Sequence, residues 1–373
     1  MRITFICGSL NPGQDGVGDY TRRLAAQLAL DGHDCQLIAI NDVVGDEETA
    51  DGTQIIRFKQ LLSNPEKSQQ AQQLIAQWQP EWISLQFVCF SFHPKGFIHR
   101  LTPFIQQCVG TAKLHIMFHE LWVGEQPSLS FKHKVMGGIQ RQLILKALRG
   151  WQVSAMHTSN ALYQFVLSHH GYSASILPLF GNIPIETENE PNVAPSLDSK
   201  KRTLLFPFSQ RHDWNVSETM ERFRDLAHAA GVRLKLIQAG QIRAGSPHWS
   251  TIQEFCKTHE WECELLGPQT EQSISKLMHE ADIGVSSAHI ALAGKSGAVA
   301  AMQEHGLPVI CTITDPISRR FKPDLNQTDE LYSLFDDTTR LEYLFSSPKR
   351  FAPKARLPSV AKQLIESLST STT

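Results

Sequence analysis

Short runs of mostly apolar residues alternate with segments of helical periodicity along most of this chain of 373 residues. Strands that read as continuous apolar runs are covered on both faces. With helices between them they build a parallel, doubly wound α/β sheet. In the first half the apolar runs fall at 3–7, 35–40, 55–58, 82–85, 114–118 and 153–156. Helical spacing marks 17–28, 69–78, 98–108 and 135–148 between several of them. In the second half strands are expected at 204–206, 234–238, 263–266, 283–285 and 308–311, and helices at 223–230, 273–279, 298–303, 331–345 and 360–368.

The alternation breaks at 184–201, a polar and acidic stretch with Glu186, Glu188, Glu190, Pro191 and Pro195. Such a composition reads as a linker. The chain is long for one core. The reading is therefore a first Rossmann-like domain at 1–183, a linker at 184–201 and a second domain at 202–345. A ligand is expected in the crevice at the carboxyl ends of the strands.

The richest segment for chemistry is Ala281-Asp282-Ile283-Gly284-Val285, then Ala293-Gly294-Lys295-Ser296-Gly297-Ala298, then His305-Gly306-Leu307-Pro308-Val309-Ile310. It reads as strand, glycine-rich loop, short helix and strand. A helix N-terminus offers free N–H groups and a favourable dipole to an anion. Lys295 adds a charge there, so Lys295, Ser296, Gly297 and Ala298 are candidate phosphate-binding residues.

Composition excludes some classes. A net charge of −2 gives no reason to expect non-specific nucleic-acid binding. The seven Cys are scattered without a CxxC pair, which points to a reducing, cytoplasmic setting. No apolar run approaches the roughly 20 residues of a membrane span. The sixteen His show no metal-ligand spacing.

Two stretches carry a resemblance. Gly16-Val17-Gly18-Asp19-Tyr20-Thr21-Arg22-Arg23-Leu24-Ala25, with Leu28 and Gly32-His33, resembles the opening of family 4-like GT-B glycosyltransferases. Leu265-Leu266-Gly267, Ile274, Leu277, Ala281-Asp282-Ile283 and Gly306-Leu307-Pro308-Val309-Ile310 resemble their donor half. The resemblance implies two Rossmann-like domains with parallel sheets facing a cleft. A nucleotide-diphosphate sugar would be held by the second domain and an acceptor by the first. It also implies a tail, 346–373, whose helix returns to the first domain. Transfer would be retaining, with no obligatory metal and no cofactor beyond the donor substrate. The family's paired Glu positions correspond to Ala293 and Ala301 here, so the usual ribose contact is missing.

The remaining candidates follow from position. Gly13, Gly16 and Gly18 read as a loop between the first strand and helix, offering amides to a ligand, or as a tight turn. A dinucleotide fingerprint fails at Thr21. His119 directly follows the strand at 114–118 and is the candidate catalytic residue, meeting the acceptor hydroxyl; the alternative is a His packed in its loop. Trp122 offers a stacking surface for a sugar or a packing face. In the resembled enzymes the turn holding Arg211 carries a cation for the donor diphosphate; the alternative is an ion pair with Asp213 or Glu218. His289 reads as a sugar contact or a surface residue, and Ser159 as a helix cap. Lys349, Arg350, Lys354 and Arg356 form a basic patch, read as a solvated face that also suits peripheral contact with an anionic surface.

The function expected is glycosyl transfer from a nucleotide-diphosphate sugar to a sugar, lipid-linked or small-molecule acceptor. Epimerisation of a nucleotide sugar, or binding without catalysis, are the alternatives.

Overall fold

A computed structural model describes residues 1–50, 52–124, 130–186, 200–207, 214–241, 247–313, 330–335 and 337–371. They form two compact units. The described residues of the first fall in Met1–Pro178 and Leu357–Thr373, those of the second in Leu179–Asp315 and Pro323–Arg356. The division thus lies ahead of the stretch read as a linker, of which 187–199 lie outside the described residues.

In chain order the first unit contains β1 (Arg2–Cys7), α1 (Gly16–Leu30), β2 (Asp34–Ala39), β3 (Glu47–Ala50), β4 (Thr53–Arg57), α2 (Pro65–Trp78), β5 (Trp82–Phe87), α3 (Cys89–Phe92), α4 (Leu101–Val109), β6 (Lys113–Phe118), α5 (Phe131–Gly150), β7 (Val153–Thr158), α6 (Ala161–His169) and β8 (Ser175–Ile176). Its sheet runs β3-β4-β2-β1-β5-β6-β7-β8. Every pairing in it is parallel except β3 with β4. The short acidic β3, Glu47-Glu48-Thr49-Ala50, closes one edge. Its polarity hid it from a hydrophobic reading, and a short, charged strand is a common way to blunt an edge.

The second unit contains β9 (Lys201–Pro207), α7 (Val216–Ala230), β10 (Arg233–Ala239), α8 (Pro247–Thr258), β11 (Glu262–Leu265), α9 (Glu271–Glu280), β12 (Ile283–His289), α10 (Gly297–Glu304), β13 (Val309–Ile313), β14 (Leu331–Ser333) and α11 (Thr338–Ser346). All its pairings are parallel, in the order β11-β10-β9-β12-β13-β14. Adjacent strand residues enter opposite layers: Leu204 and Phe206 join Phe223, Trp249 and Phe345, while Leu205 joins Met278, Val299 and Met302. That is the period-two signature of a strand buried on both faces. Each such fully buried apolar side chain contributes roughly 1.5–3 kcal/mol.

The last helix, α12 (Leu357–Thr370), belongs to the first unit and packs on α1. There the Gln363 side chain donates to the Ile176 carbonyl at 2.8 Å. Among the described residues no helix is long and apolar enough to cross a membrane. One expectation fails. Residues 331–333 are a strand rather than the start of a helix, because they pair with Val309, Ile310 and Cys311 of β13. The spacing of Leu331, Leu334 and Phe335 mimics helical periodicity, and the sheet edge overrides it.

Helix α5 lies against the loop after β6. A Cβ at Gly137 would overlap the Val123 carbonyl, whereas one at Gly138 would meet nothing within 4 Å. Gly137→Ala is expected to lower stability by about 1–3 kcal/mol. Gly138→Ala is expected to raise it by about 0.5–1 kcal/mol through helix propensity. Urea unfolding of the two variants checks the pair, and equal effects would contradict the packing.

Candidate functional site

The first strand–helix connection differs from the loop expected there. Asp15 caps α1, its carboxylate accepting the Val17 N–H at 3.1 Å, so Gly16 and Gly18 lie inside the first helical turn. Only Gly13, with φ +72°, turns in the loop. Gly18 is required by packing, because a Cβ there would overlap the Ser9 carbonyl oxygen; Gly16 faces open space. Asp42, just beyond β2, is buried and accepts from the Leu10 N–H at 2.7 Å and from the Ser9 hydroxyl at 3.1 Å. It fixes the β1–α1 loop.

Burial pushes the Asp15 carboxyl up despite the Val17 N–H, and the charges of Asp19, Glu120 and Asp42 add to this. Four carboxylates around the start of α1 make this a poor place for a diphosphate. They suit the hydroxyls of an uncharged ligand.

His119 follows β6 as expected, but its environment is closed. The residue is 5% exposed, its Nε2 lies 2.9 Å from Gln86 Oε1, and Tyr20 packs on its ring at 4.9 Å. It heads a buried chain across β5, β6 and β7. The Gln86 amide donates to Ser84 Oγ at 2.8 Å, Ser84 Oγ lies 2.8 Å from His115 Nδ1, and His115 Nε2 lies 3.0 Å from His157 Nδ1. Neutral rings satisfy every link. Gln86 Oε1 can only accept, so His119 Nε2 donates. Ser84 Oγ accepts from Gln86 and has a second lone pair. It either donates to His115 Nδ1, whose Nε2–H then donates to His157 Nδ1, or accepts from His115 Nδ1–H, whose Nε2 then accepts from His157 Nδ1–H. All three imidazoles are neutral in either arrangement. Burial holds His119 down at about 3 and His157 at about 4, and drives His115 well below the ordinary value. At neutral pH His119 therefore has one uncharged lone pair, on Nδ1, which favours accepting a hydrogen bond over taking a proton.

Trp122 is buried edge-on against His170 at 5.6 Å. The helix α6 is capped by Asn160, whose side chain accepts from the Tyr163 N–H at 2.9 Å, rather than by Ser159.

In the second unit β12 leads into a 3₁₀ turn, Ile290–Lys295, and then α10. His289 caps that turn, its Nδ1 accepting from the Ala291 N–H at 3.0 Å. Ser296 caps α10: its Oγ accepts from the Val299 N–H at 3.3 Å and its own N–H donates to the Ala293 carbonyl at 3.0 Å. Its amide is thus committed to the helix start, while its hydroxyl oxygen accepts there and keeps its own proton to donate. The N–H groups of Gly297 and Ala298 have no partner among the described residues. They sit at the positive end of α10, next to the half-buried Lys295. Arg211 lies outside the described residues.

Three residues of this site escaped the sequence reading. Gly181 donates its N–H to Glu304 Oε1 at 2.8 Å, and a Cβ on it would stand 2.6 Å from the Ala301 Cα. That close approach carries Asn182 to the start of α10, where its Oδ1 would be 3.6 Å from a Cβ at Gly297. In the sequence reading Asn182 falls at the end of the first domain, with no role. The signal lay in Gly181 and in the acid ending α10, but 123 residues separate them.

Lys349 and Lys354 of the basic tail patch are exposed, as on the solvated face expected, but Arg350 is half-buried. Arg350 donates to the carbonyls of Ala281, Met278 (3.0 Å) and His305 (2.8 Å), clamping the tail on the second unit.

No protein-family model matches the sequence, and no curated protein matches it. Solved structures do match the fold over nearly its whole length. HepE of Anabaena, solved with UDP and glucose, is 12% identical, with 99% of this chain and 100% of that one covered and a TM-score of 0.55. The catalytic domain of starch synthase IV from Arabidopsis thaliana, bound to ADP and acarbose, is 12% identical, covers 99% of both chains and has a TM-score of 0.56. UDP-GlcNAc 2-epimerase from Methanocaldococcus jannaschii is 11% identical, with 99% and 100% covered and a TM-score of 0.54. Two α/β units built on parallel sheets, with the last helix in the first unit, match these enzymes from end to end: the chain has the fold of the GT-B glycosyltransferases.

Proposed function

We propose that this protein transfers a sugar from a nucleotide-diphosphate sugar to an acceptor hydroxyl. The observation that carries the reading is the pair of unpartnered amides, Gly297 and Ala298, beside Lys295 at the start of α10. Two N–H groups, a helix dipole and an ammonium favour a diphosphate there. They stabilise the charge that grows on the leaving group as the glycosidic bond breaks. Asn182 is a further polar group for the donor, and Arg211 a second cation. The first unit takes the acceptor, whose hydroxyl donates to His119 Nδ1 near the carboxylates of α1. As the resemblance implies, the departing phosphate receives the hydroxyl proton, and transfer is retaining and needs no metal; a neutral His119 that accepts a hydrogen bond is compatible with this.

Lys295→Ala should remove one charge-assisted contact worth about 1.5–3 kcal/mol. Binding of UDP or ADP, whichever the protein takes, should weaken by roughly 10- to 150-fold. Binding of the bare nucleoside should be unchanged. Calorimetric titration checks both, and an equal loss for nucleoside and diphosphate would move the phosphate site elsewhere.

Epimerisation is the second reading, favoured by the 2-epimerase that shares this fold. Incubation with donor alone separates the two: an epimerase converts it, whereas the transferase needs an acceptor.

A further inference from the structure

We propose that Cys256 and Cys263 are a modification site on the second unit, a thiol pair that hydrogen peroxide closes to a reversible disulfide. The seven cysteines are scattered in sequence, yet the fold brings these two together. Cys256 lies near the end of α8, and Cys263 is the second residue of β11. Between them the chain turns at Glu260, φ +55°, and the Trp261 N–H returns to the Cys256 carbonyl at 2.8 Å. Cys263 stands beside Leu236 of β10, and Leu236 shares one core layer with Cys256, Phe206 and Trp249. Side chains alternate along a strand. Cys263 and Leu265 therefore pack on that layer, while Glu262 and Glu264 pair with Lys201 and Lys235. There the two thiols share a hydrogen bond.

The two sulfurs differ in readiness to react. Cys256 is 1% exposed, whereas Cys263 alone of the seven is half-buried. Burial raises the thiols of Cys7, Cys35, Cys89 and Cys108, which keeps them inert. The Cys263 thiol is lowered, because the Cys256 S–H donates to its thiolate, against burial and the charge of Glu264. Cys256 is raised by that same bond and then by burial. Cys263 is thus the attacking sulfur and Cys256 the resolving one. The Cys263 thiolate attacks one peroxide oxygen, the O–O bond breaks, and the other oxygen leaves as water with the thiol's proton. Cys263 is then a sulfenic acid. The Cys256 sulfur attacks it, the S–O bond breaks, and the hydroxyl leaves with the Cys256 proton as a second water. Two thiols are oxidised to one disulfide and one peroxide is reduced to two waters. The bond ties α8 to the edge strand β11, ahead of Gly267, whose carbonyl accepts the Gly240 N–H at 2.7 Å. The proposal does not rest on the glycosyl-transfer reading.

The test is peptide mapping of the full native chain after hydrogen peroxide, with the remaining thiols alkylated in urea before digestion. A peptide pair joined through Cys256 and Cys263, lighter by two hydrogens and separated by dithiothreitol, is expected. The other five cysteines should alkylate as in untreated protein. Oxidation should also raise the urea midpoint, because the ring restricts the unfolded chain, and dithiothreitol should reverse the rise. Cys256→Ser should leave a sulfenic acid on Cys263 that dimedone traps. Cys263→Ser should leave Cys256 unoxidised at the same dose. The wild-type map decides the matter even if a variant fails to fold. The proposal is overturned if no joined peptide forms at a dose that oxidises glutathione in the same tube. It is equally overturned if the pair joins only in urea, or if any of the other five cysteines is oxidised as fast as Cys263.

Discussion

Between pH 7.5 and pH 5 the protein is expected to lose about 6 kcal/mol of stability through three buried imidazoles. His115, His119 and His157 are at most 5% exposed. Their hydrogen bonds, through Gln86 and Ser84, are all satisfied by neutral rings. Burial drives His115 well below the ordinary imidazole range and holds His119 and His157 low as well. In the unfolded chain each ring titrates near its ordinary value of about 6.5. Below that pH the unfolded state takes up protons that the native state refuses, so stability falls as pH falls. Each ring costs about 2 kcal/mol at pH 5 on this basis. The loss continues until the native rings themselves titrate, at about 3 for His119 and about 4 for His157. Urea unfolding at pH 7.5, 6 and 5 measures this. His157→Asn keeps an acceptor for His115 and should lower the pH dependence by about one proton. A midpoint that does not move between pH 7.5 and 5 would refute the neutral chain.

Arg350→Ala is expected to destabilise the second unit by about 3–5 kcal/mol. The guanidinium meets the Met278 and Ala281 carbonyls at the end of α9 and the His305 carbonyl after α10. A cation at a helix C-terminus is favoured by the dipole as well as by the bonds. Two backbone contacts continue the clamp: the Phe351 N–H donates to Gly306 at 2.9 Å and the Lys354 N–H to Glu304 at 2.8 Å. Gly306 has φ +79°, and a Cβ there would overlap the Phe351 carbonyl, so the turn and the tail are fitted to each other. Arg350→Lys should recover only part of the loss, because an ammonium lacks the planar fork. Tryptophan fluorescence during urea unfolding measures this, Trp214, Trp249 and Trp261 reporting on this unit beside the four Trp of the first. A loss under about 1 kcal/mol would return Arg350 to the solvated face its neighbours suggested.

The same comparison of sequence with structure runs through the candidate site. The strand–turn–helix–strand around Lys295 was legible, because β12, α10 and β13 are written as local periodicity and flanking glycines. The place of His119 after β6 was legible for the same reason. Its protonation was not: that depends on Gln86, 33 residues away, and on the chain through His115 to His157. The free amides also fell outside the pattern. Ser296 reads as a phosphate ligand, and only the structure shows that its Oγ also caps α10, accepting from the Val299 N–H at 3.3 Å.

By itself, then, the sequence determined the alternation of strands and helices, and so two parallel α/β units. Those signals are carried by residues within a few positions of one another, through the periods of 2 and 3.6. Tertiary structure decided the edges β3 and β14, the tail clamp at Arg350, the seat of Asn182 and the charge state of the histidines. Each of these is set by a partner or by loss of water, and both depend on residues that the chain brings together from far apart.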